Sequence, residues 1–286
     1  VTVRETIWRE SANFTASGRK IGNAILADYP FGALRTIQEL AERTGVSAPS
    51  ITRFVSKIGF AGYQEFQRQL IAELRESGRS PLELKTTEKL HNGSAFLIDY
   101  ASRAAQRLQE MGERIPQEQF DRILTLVADP NRHIFVVGGR ASGNIALLLS
   151  THLKQIRSEV HHLPNDVEDW PYFLLAMRRN DVFIMFDFRR YQRDLVSLAE
   201  VVANNRKLSI ILITDKWMSP IARHCDHIIA LPSEIETAWD TLVCATAFVE
   251  ALIVKVSEAD WPSTRKRLEA WDQLRMVRPT QPLMEK

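Results

Sequence analysis

Ser47, Ser50, Arg53 and Lys57 recur at spacings of three and four in S-A-P-S-I-T-R-F-V-S-K, which sets them on one face of a helix. Small hydroxyls followed by a guanidinium and an ammonium suit recognition of duplex DNA. Small residues let a helix end approach base edges, and its positive N-terminus favours phosphate. The fork of Arg53 matches the two acceptors of guanine, while Lys57 suits a phosphate. Thr52 and Ser56 lie beside this face and Thr36 opens the helix before it. These seven residues are the expected contacts to DNA. The competing reading of the same spacing is a small helical bundle whose polar face is merely wet.

A second chemistry belongs to loops that leave apolar runs. V-V-G-G-R-A-S-G (136–143) passes from a strand into a helix through Gly138 and Gly139, and Ser142 offers a hydroxyl and a backbone N–H to an anion. A turn that simply requires glycine gives the same pattern. D-F-R-R-Y-Q-R-D (187–194) follows the run D-V-F-I-M-F. In an open parallel sheet, such loops at the carboxyl ends of the strands are where ligands sit.

Other chemistries find little support. His224, Cys225 and His227 lack a second cluster with zinc-like spacing. His161 and His162 point to opposite faces of a strand and cannot chelate together. Neither a G-x-x-x-x-G-K-[ST] loop nor a G-x-S-x-G elbow is present. No metal, cofactor or catalytic residue is assigned.

The elements that must hold these residues fall into two blocks. Over the first 80 residues the patterning is helical. Ile21, Ala24 and Ile25 share a face, and Thr36 with Glu39 forms a capping box before Ile37, Leu40 and Ala41. Gly45 stops that helix and Val46 plugs the corner. Ser47 caps the next helix, with Pro49 in its first turn and Ile51, Phe54, Val55 and Ile58 as its buried stripe; Gly59 ends it. Another helix runs from about Tyr63 to Glu76. Two short helices about a glycine turn have the plan of a helix-turn-helix. The polar stretch that follows, with its Ser-Pro break, reads as a linker over 79–92, separating a domain at 1–78 from one at 93–286.

Helical patterns return at 93–112 and 116–129. From 132 the rhythm changes. Apolar runs at 133–137, 181–186, 208–214 and 227–231, with a weaker one at 159–163, alternate with amphipathic stretches near 142–157, 167–178, 192–205 and 219–224. This predicts a five-stranded parallel sheet flanked by helices. Long helices at 236–257 and 263–275 close the chain.

Composition agrees with an ordinary globular protein, 45% hydrophobic and 25% charged. The net charge of +2 does not announce a nucleic-acid binder, although residues 1–80 carry 11 Lys/Arg against 8 Asp/Glu. No apolar run reaches the roughly 18 residues of a membrane span, and the first residues lack a signal-peptide pattern. Two cysteines, Cys225 and Cys244, supply no disulfide framework. A soluble, reducing, cytoplasmic setting without a membrane partner is the expectation.

Residues 15–70, above all E-L-A-E-R-T-G-V-S-A-P-S-I-T-R-F-V-S-K-I-G-F-A-G-Y-Q-E-F, resemble the N-terminal domain of RpiR/MurR-type bacterial transcriptional regulators. That family joins this domain to a C-terminal sugar-isomerase (SIS) domain that binds phosphosugars, and the two blocks here match its order and size. The resemblance implies a regulator that binds a double-stranded DNA operator, responds to a small anionic sugar-like effector, and pairs through its SIS domain as a homodimer or homotetramer.

The effector loops depart from the family. Where SIS domains resemble S-x-S-G-x-T, Asp187, Arg189, Arg190 and Gln192 stand at the first serine, the second serine, the glycine and the threonine. Arg140 replaces the second glycine of G-x-G-x-S. Two readings stay open. In one, Arg140, Arg189 and Arg190 form a cationic pocket with Asp187 orienting an arginine or accepting a sugar hydroxyl. In the other, Asp187 pairs with an arginine and the SIS domain only dimerises. The segment I-T-D-K-W-M-S-P-I-A-R-H-C-D-H (213–227) also fits an SIS domain. Glu234 and Glu236 fall where SIS isomerases carry acid/base or sugar-binding groups, so Glu236 joins Gly138, Gly139, Arg140, Ser142, Asp187, Arg189 and Arg190 as an expected ligand residue. The plainer reading of the two glutamates is a charged helix N-terminus. A sugar-phosphate isomerase is the rival function, weakened by an unassigned base and the altered phosphate loop.

Overall fold

A computed structural model describes residues 2–26, 29–85, 95–205 and 208–275. The N-terminal block holds α1 (Val3–Glu10), α2 (Ala16–Leu26), α3 (Ile37–Thr44), α4 (Ala48–Lys57) and α5 (Tyr63–Ser77). The sequence patterning gave no sign of α1, because its only buried apolar residues are Val3 and Ile7. Its start is fixed instead by a capping box, in which Thr2 Oγ1 accepts the Glu5 N–H and the Glu5 carboxylate accepts the Thr2 N–H. Ile21, Ile25, Leu40, Ile51, Phe54, Val55 and Ile58 meet in one core with Phe66 and Leu70 of α5. The expected inward faces of α2 and α4 are therefore the buried ones, with Ala24 only partly covered.

Gly45 ends α3 at φ 64°, and the Val46 N–H then bonds back to the Ala41 carbonyl at 3.2 Å. After α4, Gly59 turns the chain at φ 96°. The expected linker is not wholly irregular: Ser80 and Glu83 cap each other reciprocally and start a short helix, α6 (Pro81–Lys85). The rest of that segment, 86–94, lies outside the described residues.

The second block opens with α7 (Phe96–Arg114) and α8 (Gln117–Ala128). Next come β1 (Ile134–Gly138), α9 (Gly143–Ile156), β2 (Val160–His162), α10 (Trp170–Ala176) and β3 (Val182–Phe186). The chain continues through α11 (Arg193–Asn205), β4 (Ser209–Asp215), β5 (His227–Leu231), α12 (Val243–Ala259) and α13 (Trp261–Arg275). The sheet has the order β2-β1-β3-β4-β5, and every pair is parallel. Its strands are apolar on both faces because helices cover both. Ile134, Val136, Val182, Ile184 and Phe186 face the core built with α8, α9 and α12. Phe135, Val137, Phe183 and Met185 face the one built with α10 and α11. Phe120 of α8 packs edge-on against Phe248 of α12, centroids 5.7 Å apart.

Two expected helices differ. The stretch 219–224 is a tight 3-10 turn (Pro220–His224), whose start Ser219 caps through the Ile221 N–H. The long helix begins at Val243 instead of 236. Glu236 takes the left-handed φ of 58°, which a helix cannot hold, and the Thr241 N–H closes the intervening segment onto the Ser233 carbonyl at 2.8 Å. Among the described residues no helix is long and apolar enough to cross a membrane.

Candidate functional site

The first site is the outer face of α4. Thr36 caps α3, accepting the Glu39 N–H while its own hydroxyl donates to the Glu39 carboxylate at 2.9 Å. Ile51, Phe54 and Val55 anchor α4 in the core, so Ser47, Thr52, Arg53, Ser56 and Lys57 stand exposed and Ser50 half-buried. The hydroxyls of Ser47 and Ser50 lie 2.9 Å apart, and Arg53 Nη2 donates to Ser50 Oγ at 3.2 Å. A serine–serine–arginine chain thus runs along the helix face. Thr52 turns its hydroxyl back to the Ala48 carbonyl. Lys57 bends to the turn before α2, donating to the Asn13 carbonyl with its ammonium 5.8 Å from the Phe14 ring centroid.

The second site lies at the carboxyl ends of β1, β3 and β4. β2 and β3 flank β1 on opposite sides, so the crevice between β1 and β3 is the switch point of the sheet. Gly138 and Gly139 make the tight passage into α9. A Cβ on Gly138 would lie 2.7 Å from the Gly143 nitrogen and the Ser142 carbonyl, closer than packing permits. Ser142 does not present its hydroxyl to solvent. Buried, it accepts the Gly139 N–H at 2.9 Å and donates to the Phe186 carbonyl at 2.8 Å, locking the β1 loop to β3. Arg140 is exposed, and its backbone N–H donates to Gln192 Oε1 at 2.8 Å.

The loop after β3 is organised by buried carboxylates. Asp215, at the end of β4, accepts the Arg189 N–H at 2.5 Å, the Tyr191 hydroxyl at 2.7 Å and the Trp217 N–H at 2.9 Å. Asp187 accepts the Ser219 hydroxyl at 2.5 Å, and burial pushes its carboxyl up to about 7 against the pull of that bond. Burial likewise raises Asp215. Asp187 therefore pairs with a serine, not with an arginine as one expectation had it.

The three arginines do not converge into one cationic pocket. The Arg189 side chain is only 3% exposed and points inward. It pairs with Glu234 and with Asp240, 3.0 Å away, and lies 3.8 Å from Glu76 at the end of α5. Burial raises Asp240 to about 6, with Arg189 opposing. Burial alone would raise Glu234 too, but Lys216 and Arg189 outweigh it and hold that carboxyl low. Arg190, at φ 69°, is exposed. Arg140 and Arg190 are thus exposed, while Arg189 is turned to paired acids.

Glu234 and Glu236 precede α12 by too many residues to be its N-terminal charges. Glu236 pairs with Arg103 of α7 and, with Asp99, Ser102 and Gln106, lines an open polar cleft of about 480 Å³. Sequence reasoning missed Asp215, Tyr191 and Gln192 as organisers of the site. The available signal was an acid ending the apolar run S-I-I-L-I-T-D.

His224 and Cys225 serve local bonds, to Arg223 Nε and the Ile221 carbonyl. His161 and His162 do sit on opposite faces of β2. His161, however, has a companion in His133, just before the neighbouring strand β1, with Glu159 within ion-pair distance of both.

Comparison with known proteins matches residues 1–77 to the "Helix-turn-helix domain, rpiR family" and residues 127–255 to the "SIS domain". A Haemophilus influenzae HTH-type transcriptional regulator is 23% identical over 225 residues, spanning 76% of this chain and 75% of that protein. The sugar isomerase domain of an RpiR transcription factor from Sphaerobacter thermophilus superposes with a TM-score of 0.59 at 19% identity, covering 63% of this chain and 99% of that one. The Vibrio vulnificus NanR protein, solved in complex with ManNAc-6P, has a TM-score of 0.54 at 17% identity, covering 95% of this chain and 98% of its own. At these identities the structural likeness carries the fold.

Proposed function

Since the chain belongs to the RpiR-type helix-turn-helix transcriptional regulators that carry an SIS domain, we propose that α4 reads a specific DNA operator. We propose too that an anionic carbohydrate derivative, a sugar phosphate or sugar acid, taken up by the SIS domain modulates that binding. The observation that carries the first part is the outward face of α4, where the hydroxyls of Ser47 and Ser50 orient Arg53. Paired SIS domains in a homodimer or homotetramer would present two such helices to a repeated operator.

Support for the effector class comes from two directions. NanR, whose structure superposes on 95% of this chain, was solved in complex with ManNAc-6P. Here the loops at the switch point carry the exposed cations Arg140 and Arg190, and Arg189 of the β3 loop pairs with Glu234, which lines the polar cleft that contains Glu236. An effector there has a route to the DNA-binding block, because Arg189 of the β3 loop lies 3.8 Å from Glu76 of α5. A ligand that prefers one arrangement of these contacts shifts the population of DNA-binding forms.

The test is selection of the purified protein's preferred sequences from random duplex DNA, followed by titration of the enriched operator with sugar phosphates and sugar acids. Enrichment of a repeated motif whose binding changes with one of these compounds supports the whole reading. An enriched motif that no anionic sugar affects leaves the SIS domain as a dimerisation module. No enrichment at low salt, with the protein folded, overturns the operator assignment.

A further inference from the structure

We propose that His133, Glu159 and His161 bind one divalent late first-row transition ion, of the zinc class, at the amino-terminal edge of the sheet, opposite the effector loops. The parallel pairing of β1 and β2 sets Ile134 against Val160 and Phe135 against His161. His133 directly precedes β1 and Glu159 directly precedes β2, where its left-handed φ of 55° turns the chain, and the rings of His133 and His161 lie with centroids 5.9 Å apart. One ligating atom from each lies within 4.8 Å of the others. Glu159 Oε2 is 3.5 Å from His161 Nε2 and 3.8 Å from His133 Nε2. Ligands bound at about 2.0–2.2 Å to a tetrahedral zinc lie roughly 3.3–3.6 Å apart, so the two Glu159 distances already approach that spacing, and the two imidazoles would close from within 4.8 Å to meet it. Two imidazoles and one carboxylate are the donor set that suits zinc, nickel or cobalt rather than magnesium or calcium.

The surroundings fit a metal ligand set. Asp181 is buried and fixed by two backbone donors, the His133 N–H at 3.0 Å and the Arg178 N–H at 2.7 Å. Its Oδ2 lies 4.0 Å from His133 Nδ1, with His133 Nε2 directed to Glu159. Closing by about 1 Å would bring that carboxylate within hydrogen-bond reach of the distal nitrogen, the arrangement that orients a ligating histidine. His161 is held by stacking on Phe135, centroids 4.8 Å apart and planes 20° from parallel. Glu159 is about half exposed and His161 a third, so the ion has an entry path and a fourth position open to water. A bound ion would fasten the three-residue edge strand β2 to β1.

The test uses the untagged full-length chain, stripped of metal by a chelator and titrated with Co²⁺ under a visible-absorption readout. The expected result is one equivalent bound, with the intense bands of four- or five-coordinate cobalt, displaced by Zn²⁺. His161→Ala and Glu159→Gln each weaken binding by at least about tenfold, while His152→Ala, a histidine outside the cluster, leaves it unchanged. Far-UV circular dichroism establishes that the variants fold. Only the weak spectrum of six-coordinate cobalt at every concentration, or equal binding by wild type and a folded His161→Ala, overturns the site and leaves Glu159 as an ordinary partner of two histidines.

Discussion

Gln192 reaches from the loop after β3 to the loop after β1, where its Oε1 accepts the Arg140 backbone N–H at 2.8 Å. A Cβ on Gly139 would come within 2.5 Å of that same oxygen. The side-chain amide thus packs on the glycine turn and uses an N–H that an anionic ligand would otherwise receive. Gln192→Ala removes the acceptor, and the exposed Arg140 N–H turns to water, so the expected loss of stability is only about 1 kcal/mol. Affinity for the anionic effector is expected to rise in the same variant, measured by calorimetry. Unchanged affinity would place the anion away from this turn.

Asp187 makes stability depend on pH in an unusual direction. Burial lifts its carboxyl from 3.8 to about 7, with the Ser219 hydroxyl and the Gln192 N–H opposing. Between those values the folded chain holds a proton that the unfolded chain has released, so stability falls as pH rises through the window and levels off above it. A shift of about three units is worth at most about 4 kcal/mol. Asp187→Asn keeps an acceptor for Ser219 and removes the charge. In urea unfolding the variant should gain on the wild type from pH 5 to about pH 7 and hold that gain above it; a constant difference from pH 5 to pH 8 would refute the assignment.

Arg189, its side chain buried, is the counter-ion of two half-buried acids. Its guanidinium pairs with Glu234 and Asp240, and its backbone N–H bonds to Asp215. Removing the guanidinium leaves Asp240 without its nearest cation while Glu234 keeps Lys216, at a cost of about 1–3 kcal/mol. Arg189→Ala should lower the urea midpoint accordingly, and Arg189→Ala combined with Asp240→Asn should recover part of the loss. A single variant as stable as the wild type would show that the acids do not need this guanidinium, which would then be available to a ligand.

The fold was legible because its elements are local. The box of Thr36 with Glu39, the stop at Gly45 and the unbroken apolar strands each act within a few residues. What stayed hidden depends on partners far apart in the chain. Arg189 reads as a ligand clamp until Glu234 and Asp240 are brought to it across 45 and 51 positions. Ser142 reads as a free hydroxyl until Phe186 supplies its acceptor. His161 lacks a companion within its own strand, and the pairing register of the sheet provides His133. The start of α12 was misplaced because nothing in the residue types around Glu236 announces its left-handed backbone.

Arg53 and Lys57 share one helix face but differ in how they are held, and this separates their expected contributions to DNA binding. Arg53 is steered by Ser50, itself bonded to Ser47, with the guanidinium still exposed. Lys57 is tied to the Asn13 carbonyl, and its ammonium, a point charge without the fork of an arginine, is the expected phosphate contact. Arg53→Ala should weaken operator binding by about 1–3 kcal/mol and relax the preference at one base position. Lys57→Ala should weaken binding to all sequences about equally and reduce the salt slope by about one. Fluorescence anisotropy on the operator and a scrambled duplex, repeated at several salt concentrations, distinguishes the two. If Arg53→Ala lost the same energy on both duplexes, Arg53 would be a phosphate contact and base reading would pass to Ser47, Ser50 and Thr52.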